Sequence, residues 1–186
     1  MTSEAAPTGV PAAAAVSDFV DAMSGLAGGV ALATTWLEGR PWGMTVTAFS
    51  SVSLEPPTVL VSLGAGTTLA RAVDSTGVFG VSVLARRHWA LARRGATGGA
   101  SKFFDADLAE LPGLGGSPAV AGALAHVDCE VAERTEVGDH VVFFGRVRWA
   151  RGATEGEPLL YYRRAYRALA RIPLLPNTRR ATCPSS

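Results

Sequence analysis

GMTVTAFSSVSLEPPTVLVSL, residues 43–63, is the stretch on which the fold turns. Its first part is rich in Thr, Val and Ser, and Thr and Val favour extended backbone. Pro56 and Pro57 then interrupt it, because neither can donate to a strand ladder. TVLVSL, 58–63, resumes as a short buried strand. Upstream, GGVALATTWL (28–37) and PWGMTVTAFSSVSL (41–54) flank a turn at Glu38–Arg40 and read as a hairpin. Downstream come VFGVSVL (78–84), ALAHVDCEVAER (123–134), HVVFFGRVRWA (140–150) and LLYYRR (159–164). In 140–150, Val141, Phe143, Val147 and Trp149 oppose Arg146 and Arg148, the alternation of a half-buried strand. Short helices punctuate the series: one over 18–26 capped by Ser17, one beginning at Thr67 or Thr68, and one over 86–94. The pattern predicts a mainly β chain closed into an antiparallel barrel of about six strands with peripheral helices. A doubly wound parallel sheet is the weaker alternative, since strict βαβ alternation is missing.

At 186 residues the chain is long enough to bury a core without disulfide or metal staples. Residues 16–173 read as one domain. Residues 1–15, rich in Pro, Ser and small side chains, read as a disordered tail, and 174–186 as a C-terminal tail whose Leu174 and Leu175 could dock on the body. The formal charge of +1 argues against nucleic-acid and anionic-membrane partners, which need a concentrated basic face. No apolar run approaches the roughly 18–20 residues of a membrane span. The N-terminus lacks the basic start and apolar middle of a secretory signal. Two cysteines, Cys129 and Cys183, exclude a disulfide framework and a Cys-rich zinc site. A reducing, cytoplasmic location is expected. Of 17 basic residues only Lys102 is lysine.

Several chemistries are missing. There is no P-loop, no Gly-x-Gly-x-x-Gly after a strand, no His-Glu-x-x-His and no Gly-x-Ser-x-Gly. His88, His126 and His140 are too scattered to suggest a metal site. If the chain is an enzyme, a bound cofactor is expected to carry the reaction. Four segments could hold one. Thr45, Thr47, Ser50, Ser51 and Ser53 cluster hydroxyls that suit a phosphate or a polar ring edge, or simply make a Thr/Ser-rich strand. SLGAGTT, 62–68, offers N–H groups to an anion, or merely caps a helix. In SKFFDADL, 101–108, Lys102 could pair with a phosphate while Phe103 or Phe104 stacks on a planar ring, or the segment is an anchored loop with a solvated lysine. In GDH, 138–140, His140 enters a strand where it could meet a carboxamide, or sits as an edge histidine. His126 beside Asp128 reads as structural, and Cys129 as a small core residue.

Taken in order, GMTVTAFSSVSLEPPTVLVSL (43–63), VFGVSVLARRHWALARR (78–94), SKF (101–103), GSPAVAGALAHVDCEV (116–131), GDHVVFFGRV (138–147) and PLLYYRRAYRAL (158–169) resemble the flavin reductase family with the FMN-binding split-barrel fold. The resemblance covers roughly 16–170. It implies a six-stranded antiparallel split barrel and a homodimer with flavin sites near the subunit interface. It implies hydride transfer from NADH, or NADPH, to freely exchanging FMN or FAD, and a separate flavin-dependent monooxygenase that receives the reduced flavin. It places Met44, Thr45, Val46, Thr47, Ala48, Ser50 and Ser51 along the isoalloxazine and ribityl chain, with Ser62, Leu63 and Thr67 continuing that wall. Ser101, Lys102 and Phe103 would hold the phosphate end, and His140 would be the catalytic-site residue by the nicotinamide. Tyr161, Arg163 and Tyr166 would lie near the same pocket. A non-enzymatic flavin or heme binder on the same barrel is the alternative. A flavoprotein oxidase of the pyridoxamine-phosphate type is disfavoured, because the pocket segments show one lysine and no arginine cluster.

Overall fold

The computed structural model describes residues 12–109 and 116–170, with side chains from Val16 onward. Its elements run α1 (Ala12–Ser24), β1 (Gly28–Gly29), β2 (Ala31–Leu37), β3 (Arg40–Val46), β4 (Phe49–Leu54), β5 (Pro57–Gly64), α2 (Thr68–Thr76) and β6 (Val78–Val83). Then follow α3 (Trp89–Ala96), β7 (Ala125–Val137), β8 (His140–Gly152), β9 (Leu160–Tyr162) and β10 (Ala165–Arg167). Helix α1 begins at Ala12, so Ser17 lies inside it and is not its cap, and 12–15 are helical where a tail was expected. An alanine run is the best helix former available, which carries the helix upstream. The expected tails over 1–11 and 174–186, with Cys183, lie outside the described residues. Thr67 caps α2 as expected, its hydroxyl accepting from Ala70 N at 3.2 Å.

The 41–54 run does not form one strand. It breaks at Thr47–Ala48 into β3 and β4. The main sheet is ordered β3-β2-β6-β7-β8-β5-β4, so the two halves of one run sit at its two ends. β3 pairs with β2, β4 pairs with β5, and Ser62 N donates to the Ala48 carbonyl at 2.9 Å beside the break. The sheet thereby closes on itself. Seven strands are counted where six were expected, and the surplus is this one interruption. A closing, twisted sheet turns its last strand away from its first, so a run shared between them has to bend. The 159–164 run, read with the barrel strands, contributes β9 to a separate three-stranded sheet, β1-β9-β10.

The barrel interior is filled by Val61, Leu63, Phe79, Val81, Cys129 and Phe143, all essentially inaccessible. β5 shows why: Val59, Val61 and Leu63 point in while Thr58, Leu60 and Ser62 do not. Each such aliphatic or phenyl side chain contributes about 1.5–3 kcal/mol on burial. Burial pushes the Cys129 thiol up to about 12, which makes it inert packing. A second cluster of Leu32, Leu84, Leu91, Phe104, Val120 and Leu159 seats α3 and the loop after it on the outside.

Segment 116–120 crosses over β6 at close range. A Cβ on Gly80 would meet Thr34 Oγ1 and His126 Cε1 at 2.6 Å, so only glycine fits beneath it. Side chains hold the crossing down. Thr34 Oγ1 donates to the Pro118 carbonyl and Trp36 Nε1 to the Gly116 carbonyl, both at 2.6 Å. Val120 N donates to Ser82 Oγ at 3.1 Å, and Ser117 donates through its amide and hydroxyl to Asp128 Oδ1. Ser117 gives its hydroxyl proton to Asp128, so His126 Nε2 donates to Ser117 Oγ at 3.4 Å, and Nδ1 of the neutral ring accepts from the Ser82 hydroxyl 2.8 Å away. Asp128 is completed by Arg148 at 2.8 Å. His126 is thus a structural residue, and burial pushes its pKa down to about 4.

Candidate active site

Three elements surround a cavity of about 390 Å³. The end of β3 supplies Thr45, Val46 and Thr47, the end of α3 supplies Arg93, Ala96 and Thr97, and the β9–β10 hairpin supplies Tyr161, Arg164 and Tyr166. The Thr45 hydroxyl donates to the Ala92 carbonyl at 2.7 Å and fixes α3 against β3. Thr97 Oγ1 donates to the Arg93 carbonyl at 2.8 Å, so each of these hydroxyls has given its proton to α3 and is left with acceptor capacity only. Tyr161 and Tyr166 are directly opposite in the ladder, with ring centroids 5.4 Å apart and planes at 65°. Burial, and then the neighbouring Tyr161, raise the Tyr166 phenol above its ordinary value. A second recess of about 360 Å³ shares Thr47, Tyr161 and Arg164 with the first and runs on past Ala48 to Met23 and Leu26. Together they are of the size that takes a ring system with a polar tail.

The hairpin turn is unusual. Arg163 and Arg164 both have positive φ, 47° and 60°. A two-residue hairpin of this hand wants Asn-Gly or Gly-Gly, and each L side chain there costs about 1 kcal/mol. Such strain gathers at functional sites. Here it sends Arg164 to the cavity rim, where it pairs with Asp21 at 2.7 Å. Arg163, the residue expected near the pocket, turns instead to Tyr162, its Nε 3.1 Å from the phenol oxygen. With Arg93, two guanidiniums line a cavity whose segments were expected to carry no arginine cluster.

Other candidates fall into two further groups. Gly64 pairs with His140, and Ala65 N donates to the Asp139 carbonyl at 2.9 Å, which unites 62–67 with 138–140. His140 is exposed, and its Nδ1 lies 2.8 Å from Asp139 Oδ1. The carboxylate has no proton to give, so Nδ1 carries the hydrogen, and in the neutral ring Nε2 is then an acceptor. That bond also lowers the Asp139 carboxyl below its usual range. Ser62 is half-buried there, while Leu63 points into the barrel core and offers only backbone. The other group covers the outer edge of β3. Gly43 N donates to the Lys102 carbonyl at 3.0 Å, and Phe103 bridges to Trp42. The Phe103 ring has the Arg40 guanidinium 3.9 Å from its centroid and the Trp42 ring centroid at 4.7 Å with the planes at 81°, so it serves as an anchor more than as an open stacking face. Ser101 is exposed beside them, Ser50 and Ser51 are exposed on β4, and Met44 packs on the barrel core.

Of the expected residues, the cavity itself brings together Thr45, Val46, Thr47, Tyr161 and Tyr166, and Ala48 joins through the adjoining recess. It does not include 101–103 or His140. Arg93, Thr97 and Arg164 were missed. The helical spacing of 86–94 was a usable signal for Arg93, whereas nothing local distinguishes Arg164 from Arg163. A larger recess of about 640 Å³, beside His126 and Trp149, contains none of the candidate residues.

Comparison with known proteins agrees with this architecture. A family model described as a flavin reductase like domain matches residues 23–170. The flavin-dependent monooxygenase reductase subunit HsaB of Rhodococcus jostii is 38% identical over 138 residues, covering 74% of this chain and 70% of that protein. The actinorhodin polyketide dimerase of Streptomyces coelicolor is 39% identical over 150 residues, covering 80% and 84%. Among solved structures, the flavin reductase PheA2 superposes with a TM-score of 0.75 at 36% identity, covering 83% of this chain and 98% of its own. The family match runs from within α1 through the closing hairpin and so takes in every wall of the cavity, and the chain belongs to the flavin reductase family.

Proposed function

We propose that this flavin reductase takes hydride from NADH and passes it to FMN or FAD, which leaves as reduced flavin for a separate monooxygenase. One hydride and one proton enter the flavin ring and NAD⁺ is released, so the reaction needs no nucleophile from the protein. What the chain must supply is orientation: two rings held so that the donor carbon faces the acceptor nitrogen. The observation that carries the proposal is the cavity between β3, α3 and the hairpin, lined by threonine hydroxyls, a tyrosine pair and two rim guanidiniums. Neutral hydroxyls hold a polar ring edge without trapping it, and the arginines suit a phosphate. The supporting relatives carry the same chemistry in their names. One from Rhodococcus is an NADH-dependent flavin reductase, and a solved Streptomyces globisporus structure is an NADH:FAD oxidoreductase in complex with NAD and FAD fragments.

The test is a steady-state assay crossing FMN and FAD with NADH and NADPH. The expected result is NADH oxidation that depends on added flavin. No flavin-stimulated oxidation would overturn the reading. A stoichiometric chromophore retained through purification without turnover would establish the alternative, a non-enzymatic binder.

A homodimer in the cytoplasm belongs to the same proposal. Support for the dimer comes from α1 and the residues just after it, where Phe19 and Leu26 are each 65% exposed, and from the tip of β4, where Leu54 is 91% exposed. Apolar side chains this open, Leu26 among them lining the second recess, are what a second copy would cover. Lys102, and His140 with its free Nε2, complete the proposed site as phosphate and nicotinamide contacts.

A further inference from the structure

The polar lining of the cavity does not stop at its rim. Arg93 lines the cavity, and its guanidinium carbon lies 5.2 Å from the ring centroid of Trp89, one turn earlier on α3. The two occupy i and i+4 and so share a helix face. Trp89 is 50% exposed and borders a further shallow recess outside the cavity. The neighbouring arginines are engaged: Arg86 pairs with Glu157 and Arg94 with Asp107, both at 3.0 Å, and Arg87 donates to the Gly122 carbonyl. Among the described residues Arg93 has no carboxylate partner.

A guanidinium without a carboxylate partner beside a half-exposed indole, on one helix face leading out of the cavity, suits a phosphate followed by a purine. The cation donates charge-assisted bonds to phosphate oxygens and the indole offers a flat apolar face for a base. FMN has a phosphate but no base to reach that far, whereas FAD and NADH both carry an adenosine phosphate. We infer that Trp89 and Arg93 bind the adenosine-phosphate half of a dinucleotide whose reacting ring occupies the cavity. The identity of that ring rests on the flavin reductase reading; the adenosine-phosphate site does not.

The first test is a titration of the full chain with ADP, followed by calorimetry. Saturable binding is expected, weakened about tenfold in Trp89→Ala and in Arg93→Ala, the size of one lost stack or charged bond. Trp89→Phe and Arg93→Lys, which keep the aromatic face and the charge, should retain most of it, and circular dichroism checks that each variant is folded. Absence of ADP binding to the native chain, or equal binding by the alanine variants, overturns the inference. The second test is kinetic. A rise of about tenfold in the FAD-to-FMN ratio of KM values in Trp89→Ala assigns the site to FAD, and a similar rise in KM for NADH assigns it to the nicotinamide substrate. If neither moves, the inference fails. Should the native chain show no flavin-dependent NADH oxidation, the functional reading falls, while the ADP titration still decides this one.

Discussion

His140 presents Nε2 to solvent because Asp139 holds the other ring nitrogen at 2.8 Å. A fixed tautomer is what a side chain needs to receive an amide N–H such as that of a carboxamide. His140→Ala is expected to raise KM for NADH several-fold and KM for flavin much less; an unchanged KM for NADH removes His140 from the nicotinamide site. The buried histidine, His126, answers to pH. Desolvation lowers the His126 pKa from 6.5 to about 4, so between those values the unfolded chain binds a proton that the folded chain refuses. Stability therefore falls as pH drops through that window. Thermal unfolding should show a midpoint that declines from pH 6.5 towards 4, with a flatter profile in His126→Asn, and identical profiles would contradict the assignment. Residue roles fixed by local chemistry were legible from sequence: the Thr67 cap, the Cys129 core position, the structural His126. Arg164 was not, because the choice between it and Arg163 is made by two consecutive positive φ angles. Arg93 was hidden for a related reason, since its role appears only when α3 is docked on β3.

At the scale of elements, the β9–β10 hairpin trades stability for geometry. Replacing Arg163-Arg164 with Asn-Gly relieves two strained residues and removes the rim cation. The unfolding free energy should rise by about 1–2 kcal/mol, measured by chemical denaturation, while KM for flavin rises several-fold. A variant that gains stability without losing affinity would show the turn to be strained for no functional end. Strands announced themselves well in the sequence, since inward and outward residues alternate in β5 and β8 as their side chains require. The break at Thr47–Ala48 did not. Both residues are acceptable in a strand, and what divides the run is that β2 and β5 claim its two halves from opposite ends of the sheet. Helix α1 starts earlier than the cap signal at Ser17 implies, because the alanine run before it extends the helix upstream.

For the molecule as a whole, the exposed stripe of Phe19, Val20, Met23 and Leu26 predicts association. Sedimentation should give twice the 19.2 kDa chain mass. Phe19→Asp with Met23→Asp should return it to the single-chain mass and weaken flavin binding, because the adjoining recess reaches Met23. A native chain that sediments as a monomer at micromolar concentration would exclude the dimer. One more property belongs to the closed barrel. Closure leaves the outer edge of β3 unpaired by any barrel strand, and the loop at 102–104 covers it, with Gly43 N on the Lys102 carbonyl and Phe104 N on the Pro41 carbonyl. An uncovered strand edge recruits strands from other chains. The loop that carries the only lysine is therefore also a guard against aggregation. Shortening it would first appear as precipitate in the expressing cell, before any effect on turnover could be measured.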